Sequence, residues 1–186
     1  MAILTVRTGG QFTTIAAAVA AAQPDDTIDV QKGTYTNDFP PLIAKSLTLQ
    51  AVGGMVNMVA TQPPPNGTAI LDVGAAGVTV SIDGFSFSGA TVSSSNGTGI
   101  RYEGGILLLT NDYFHDNQDG LLAASDPAGS ITINHTEFTN KVSIRISGVS
   151  CCDRLSGASD VVVGEAWVPS FEQWPERAVE RARSGL

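Results

Sequence analysis

Three stretches of this 186-residue chain superimpose without gaps: VSIDGFSF (residues 80 to 87), LLLTNDYF (107 to 114) and ITINHTEF (131 to 138). Each has an aliphatic residue, any residue, a second aliphatic, four more residues and then Phe. The shared registers are Val80, Leu107 and Ile131; Ile82, Leu109 and Ile133; and Phe87, Phe114 and Phe138. The Phe positions are 27 and 24 residues apart, a period that suits one coil of a solenoid whose strands lie parallel, like on like. Within each stretch the alternation, as in Ile131 and Ile133 against Thr132 and Asn134, is that of a strand with one buried face.

A helical reading fails because Gly84, Gly89, Gly104, Gly105, Gly120 and Gly129 interrupt the pattern too often, whereas they suit the turns between sides of a coil. Fainter rungs precede the three: Ile28 and Val30, Leu47 and Leu49, and Ile70 with Leu71. A second side of neighbouring coils is visible where Gly99 and Ile100 match Gly120 and Leu121. A stack of coils exposes its core at each end, and a lid is legible at the first. Thr13 or Thr14 can cap a helix whose Ile15, Val19 and Ala22 share one face and which ends before Pro24. The expected fold is therefore all-β, a right-handed parallel β-helix over residues 1 to 140 with a short N-terminal capping helix.

The opening GGQFTTIAAAVAAAQPDDTIDVQKGTYTNDF resembles that of bacterial proteins with the pectin lyase-like β-helix fold. The matching positions are Gly9, Gly10, Phe12, Thr13, the alanine-rich helix to Ala22, Asp26, Thr27, Ile28, Gly33, Thr34 and Tyr35. TNDYFHDNQDGL and ITINHTEFTN are similar to that superfamily's strand, turn, Phe, Asn, Gly pattern. The resemblance covers about three quarters of the chain. It implies a fold, and beyond it a superfamily of lyases, hydrolases, esterases, epimerases, adhesins and inactive structural repeats.

Residues 141 to 186 depart from the pattern and form a second segment. They hold six of the ten basic residues, six acidic ones, both Trp and both Cys, whereas the first 140 carry four basic against twelve acidic and so the whole charge of −8. Strands at Ser143 to Ile146 and Asp160 to Val163 would continue the stack, and Pro175 to Arg183 would be a short helix. Such a tail is either a cap sealing the last coil with Val161, Trp167, Phe171 and Trp174 or an unrelated sequence joined by truncation or frameshift. In the second case the open end would invite homo-oligomerisation, because unpaired strand edges template pairing.

The acidic balance argues against nucleic acid, which needs Lys and Arg at phosphates, and would repel an anionic polymer unless a cation or a local Arg received it. With no apolar stretch of 18 residues no membrane span is expected, and MAILTVRTGG lacks the charged start of a classical signal peptide, although an extracellular site suits the resemblance. Cys151 and Cys152 are adjacent, so a disulfide between them would be a strained ring and free thiols are expected. Only His115 and His135 join them as soft ligands, which argues against zinc.

The richest polar cluster is Asn111, Asp112, His115, Asp116, Asn117 and Asp119. Enzymes of the resembled fold use outward carboxylates as general acid and base, or as calcium ligands beside an Arg base. That comparison makes Asp112, Asp116, Arg101 and His115 the catalytic candidates, with calcium as the one cofactor it allows and no metal ligand set fixed. Tyr102, Glu103, Tyr113 and Asp119 are the candidates for substrate binding, the tyrosines by stacking on sugar rings. The competing reading is structural: Asp and Asn at coil corners bond to backbone, and Arg101 pairs with Glu103 or Asp119. The alignment itself sets Asp83 against Thr110 and Asp112 against Phe85, so those carboxylates do not stack. Asn66, Asn96 and Asn134 head glycosylation sequons, for which chance is the default in so Asn- and Thr-rich a chain. The expected function is to bind, and in the enzyme reading to cleave, a polysaccharide. The alternative is a non-catalytic structural or adhesin-type segment.

Overall fold

A computed structural model describes residues 1–124, 128–139, 144–147 and 161–163. It is a right-handed parallel β-helix of about six turns with one short helix. Chain order gives β1 (Ile3–Val6), α1 (Ile15–Ala21), β2 (Asp26–Thr36), β3 (Leu47–Val59), β4 (Ala69–Asp83), β5 (Phe85–Ser88), β6 (Thr98–Thr110), β7 (Tyr113–His115), β8 (Asp119–Ala124), β9 (Ser130–Asn134), β10 (Thr136–Thr139), β11 (Ile144–Ser147) and β12 (Val161–Val163). Every pairing among them is parallel.

The pairings divide each full turn into three sides, and the longer strands bend round a corner to serve two of them. The first side stacks β1, residues 26–31, 47–52, 79–83 and 106–110, and β9. The second stacks residues 33–36 and 56–59 with β5, β7, β10 and β12. The third stacks residues 69–74 and 98–104 with β8 and β11. Along the first side Leu4, Ile28, Leu49, Ile82, Leu109 and Ile133 form one interior column, each buried. The registers expected from the repeat are the observed ones.

On the second side Phe87, Phe114 and Phe138 are fully buried, with ring centroids 5.1 Å and then 4.6 Å apart and nearly parallel planes. Stacked identical rings are the most economical way for a parallel coil to fill its interior, since each turn presents the same space to the next. Gly99, on the facing third side, has no positive φ, yet a Cβ there would stand 2.8 Å from Phe114 Cδ1 and 2.9 Å from Phe87 Cβ. Its role is to leave room for the phenyl column. Gly99→Val should therefore lower unfolding stability by about 1–3 kcal/mol through overpacking, read as a shift in the urea midpoint with unchanged slope.

The corners explain the polar residues of the repeat. Between the first and second sides the later coils each turn on one left-handed residue, Gly84 (φ 80°), Asn111 (φ 56°) and His135 (φ 47°), and the coil of β3 turns on two, Gly53 (φ 80°) and Gly54 (φ 132°). After the second side Asn37, Gly89 and Asp116 do the same, with φ of 54°, 82° and 55°. Gly, Asn, Asp and His are the residues that tolerate this region best, so the Asn- and Asp-rich phrases are corner chemistry first.

The N-terminal lid is as expected and better fastened. Thr14 Oγ1 accepts from Ala17 N at 3.2 Å, and the Asp38 carboxylate accepts from Ile15 N and Ala16 N at 2.6 and 3.0 Å, a negative charge at the positive helix end. Ile15, Ala18 and Val19 are buried. Beyond residue 140 the stack continues through β11 on β8 and β12 on β10. The helix expected at Pro175 to Arg183, the two cysteines and the aromatic cap residues Trp167, Phe171 and Trp174 lie outside the described residues. No helix among the described residues is long and apolar enough to cross a membrane.

Candidate functional site

Alternation on the third side turns Leu71, Ile100 and Leu121 inward and Asp72, Arg101 and Leu122 outward. Arg101 lies in register beside Asp72 of the preceding coil, and its Nη2 donates to Glu103 Oε1 at 2.8 Å, with both side chains more than a third exposed. Asn66 approaches from the loop before β4. Its Oδ1 accepts from Thr68 N and Ala69 N at 2.9 Å each, which fixes its Nδ2 to donate to Asp72 Oδ2 at 2.8 Å. Asp72 Oδ1 is buried and has no hydrogen-bond partner among the described residues. Burial pushes the Asp72 carboxyl above its ordinary pKa; the Asn66 bond and the Arg101 charge pull against that shift, and Glu103 adds to it. Two carboxyls and a guanidinium thus share one outward face, one carboxyl holding its proton more tightly than usual.

A second cluster lies on the second side. Tyr113 and His115 stack with ring centroids 4.6 Å apart, and His115 Nδ1 is 2.7 Å from Asp116 Oδ2. Glu137 and Thr139 of the next coil lie in register beside Tyr113 and His115, and Thr139 Oγ1 donates to Tyr113 Oη at 2.9 Å.

The eight candidates read from the sequence therefore divide three ways. Arg101 and Glu103 meet on the third side in the ion pair that the competing structural reading set out. Tyr113, His115 and Asp116 meet on the second. Asp112, a catalytic candidate, and Asp119 and Tyr102, substrate-binding candidates, are instead turned away from solvent, at 2%, 1% and 3% exposure. The Asp112 carboxylate accepts from Phe85 N at 2.8 Å and Thr110 N at 3.2 Å, tying two coils together at a corner. Burial pushes its pKa well up, against those backbone bonds. Asp119 begins β8 in register with the fully buried Thr98. Tyr102 donates its hydroxyl to Gly105 O at 2.7 Å, so its ring belongs to the core. Asp83 accepts from Asn111 Nδ2 at 2.8 Å and lies against Thr110, as the alignment set it.

Asp72 was not among the candidates. The signal for it was the match of AILDV to TGIRY, which sets Asp72 against Arg101, but the intervening loop hides that register until the coils are paired. No group of three or more His, Cys, Asp or Glu among the described residues is arranged to hold a metal ion.

Fold and surface together define the class as a short right-handed parallel β-helix with two polar clusters on different sides. No protein-family model matches the chain, and no curated protein matches it. Among solved structures it is similar to a pectin methylesterase variant in complex with a hexasaccharide, at 13% identity and a TM-score of 0.46 over 78% of this chain. The match covers 57% of that structure's chain.

Proposed function

We propose that this chain is a polysaccharide-binding β-helix whose third side, around Arg101, Asp72, Glu103 and Asn66, is the binding face. The observation that carries this reading is Arg101, held in register over Asp72 and ion-paired with Glu103 on an outward face. A guanidinium and two carboxyls offer donors and acceptors together, which is the complement of a sugar's vicinal hydroxyls. The coil repeat of about 4.8 Å adds a periodic surface suited to a periodic polymer. One observation favours cleavage as a second reading: Asp72 keeps a proton more readily than an ordinary carboxyl and stands beside a charged partner, as a general acid does.

Affinity electrophoresis across neutral, acidic and amino-sugar polysaccharides tests the binding. One class should retard the protein, and Arg101→Ala should weaken that retention about ten-fold, the loss expected for charged hydrogen bonds. Unchanged retention of the variant, or no retention by any glycan, contradicts the proposal. Cleavage is read on the same panel from unsaturated uronides with and without calcium, and from reducing ends. Turnover that survives Asp72→Asn removes Asp72 from the chemistry.

A further inference from the structure

The second-side cluster carries a narrower conclusion. Tyr113, His115, Glu137 and Thr139 form a two-by-two patch on adjacent coils, with Asp116 at its corner. The Asp116 side chain is 59% exposed and its polar partner is His115; Glu137 is exposed and has no cationic partner among the described residues. Two carboxylates thus flank a stacked pair of rings on a body whose first 140 residues hold four basic and twelve acidic side chains. An anionic sugar meets repulsion there, and a neutral one leaves the charges unused. An ammonium group satisfies the carboxylates and lies against the ring of Tyr113 as a cation–π partner.

We infer that this patch is a subsite for sugars bearing a free amino group, and that the polymer recognised by the chain is a cationic amino-sugar polysaccharide. The inference rests on the glycan-binding reading above and adds the substrate class. A sugar suits the patch better than a basic peptide does, because the Thr139 hydroxyl and the ring pair offer contacts to a pyranose that a lysine side chain does not use. The coil spacing of about 4.8 Å also matches the length of one sugar residue.

Calorimetric titration tests this with a glucosamine hexamer at a pH where its amines are protonated, beside the fully N-acetylated hexamer, an oligogalacturonate and a hexalysine. The glucosamine hexamer should bind about ten-fold more tightly than its N-acetylated form and more weakly as salt is raised. Tyr113→Ala and Glu137→Gln should each cost about five-fold, the range of one exposed cation–π or ion-pair contact, while Tyr113→Phe keeps the ring and most of the affinity. Glu137→Gln removes a charge without touching the core, so it reports even where Tyr113→Ala misfolds. Equal binding of amino and N-acetylated hexamers, or full affinity in Glu137→Gln, overturns the inference and leaves the broader glycan reading standing. Hexalysine binding as tightly as the sugar overturns it in favour of a basic protein partner. Absence of binding by all four ligands overturns this inference, and absence of retention across the polysaccharide panel overturns the broader one.

Discussion

Phe114→Ala should lower the unfolding free energy by about 4 kcal/mol, the cost of an aromatic-to-alanine cavity in a core that cannot collapse. Phe114 is fully buried between Phe87 and Phe138, with ring partners 5.1 Å and 4.6 Å away. Both neighbours lose a face at once, and the strands that carry them are fixed by ladders on either side, so the void stays open. In a stack where each coil touches only its neighbours, the damage should also be directional. Amides of β7 and β10 should lose hydrogen-exchange protection, while those of β2 and β3 keep theirs. Phe114→Leu, which fills more of the space, should cost about 1.5 kcal/mol or less. Urea unfolding of the three proteins checks the order, and equal stability of Phe114→Ala and the parent would remove the phenyl column from the account of the core.

Asp112→Ala should be nearly as damaging, at about 3 kcal/mol, because it strands the buried amide of Phe85 and the half-buried amide of Thr110 without an acceptor. The same residue makes stability depend on pH in a definite sense. Unfolded, its carboxyl titrates near the ordinary value of 3.8, and folded it titrates well above, chiefly through burial. Between the two values the folded state holds more protons than the unfolded one. The contribution is thus fullest below the unfolded value and declines as pH rises through the folded one. Asp26 works the other way: amides of Gln23 and Ala2 hold its carboxyl below the ordinary value, so its contribution is lost as pH falls. Asp112→Asn, which cannot ionise, should flatten the decline that sets in as pH rises above the unfolded value of 3.8 and leave the loss at the acid end. A decline of the same depth in the variant would show that Asp112 is not its source.

These two residues also show what a single sequence reveals of such a chain. The interior is written in it directly. Val80, Leu107 and Ile131, and the three phenylalanines, recur because one coil's interior is the next coil's environment, and the structure keeps every one of those registers. Corners are half legible. Asn111 and Asp116 are turn residues on chemical grounds, and the structure finds both at positive φ, but nothing local told Asp112, one position along, that it would face inward. That depends on the αL residue before it, which redirects the chain, and on the Phe85 amide of the preceding coil waiting for an acceptor. The candidate site was least legible. Arg101 and Glu103 are two residues apart on one strand and pair as alternation allows, but Asp72 is 29 positions before Arg101 and joins it only through a register that a loop interrupts. Tyr102, between Arg101 and Glu103, follows the same alternation into the core.

Parallel, in-register coils set every side-chain position described above, and through-space proton contacts between the rings of Phe114 and its two neighbours measure that arrangement in solution. In a protein labelled at phenylalanine alone, nuclear Overhauser cross-peaks should join the Phe114 ring to those of both Phe87 and Phe138, with none between Phe87 and Phe138 directly. Cross-peaks to neither ring, or a direct peak between the outer two, would contradict the stacking from which the corner roles and both surface clusters were built.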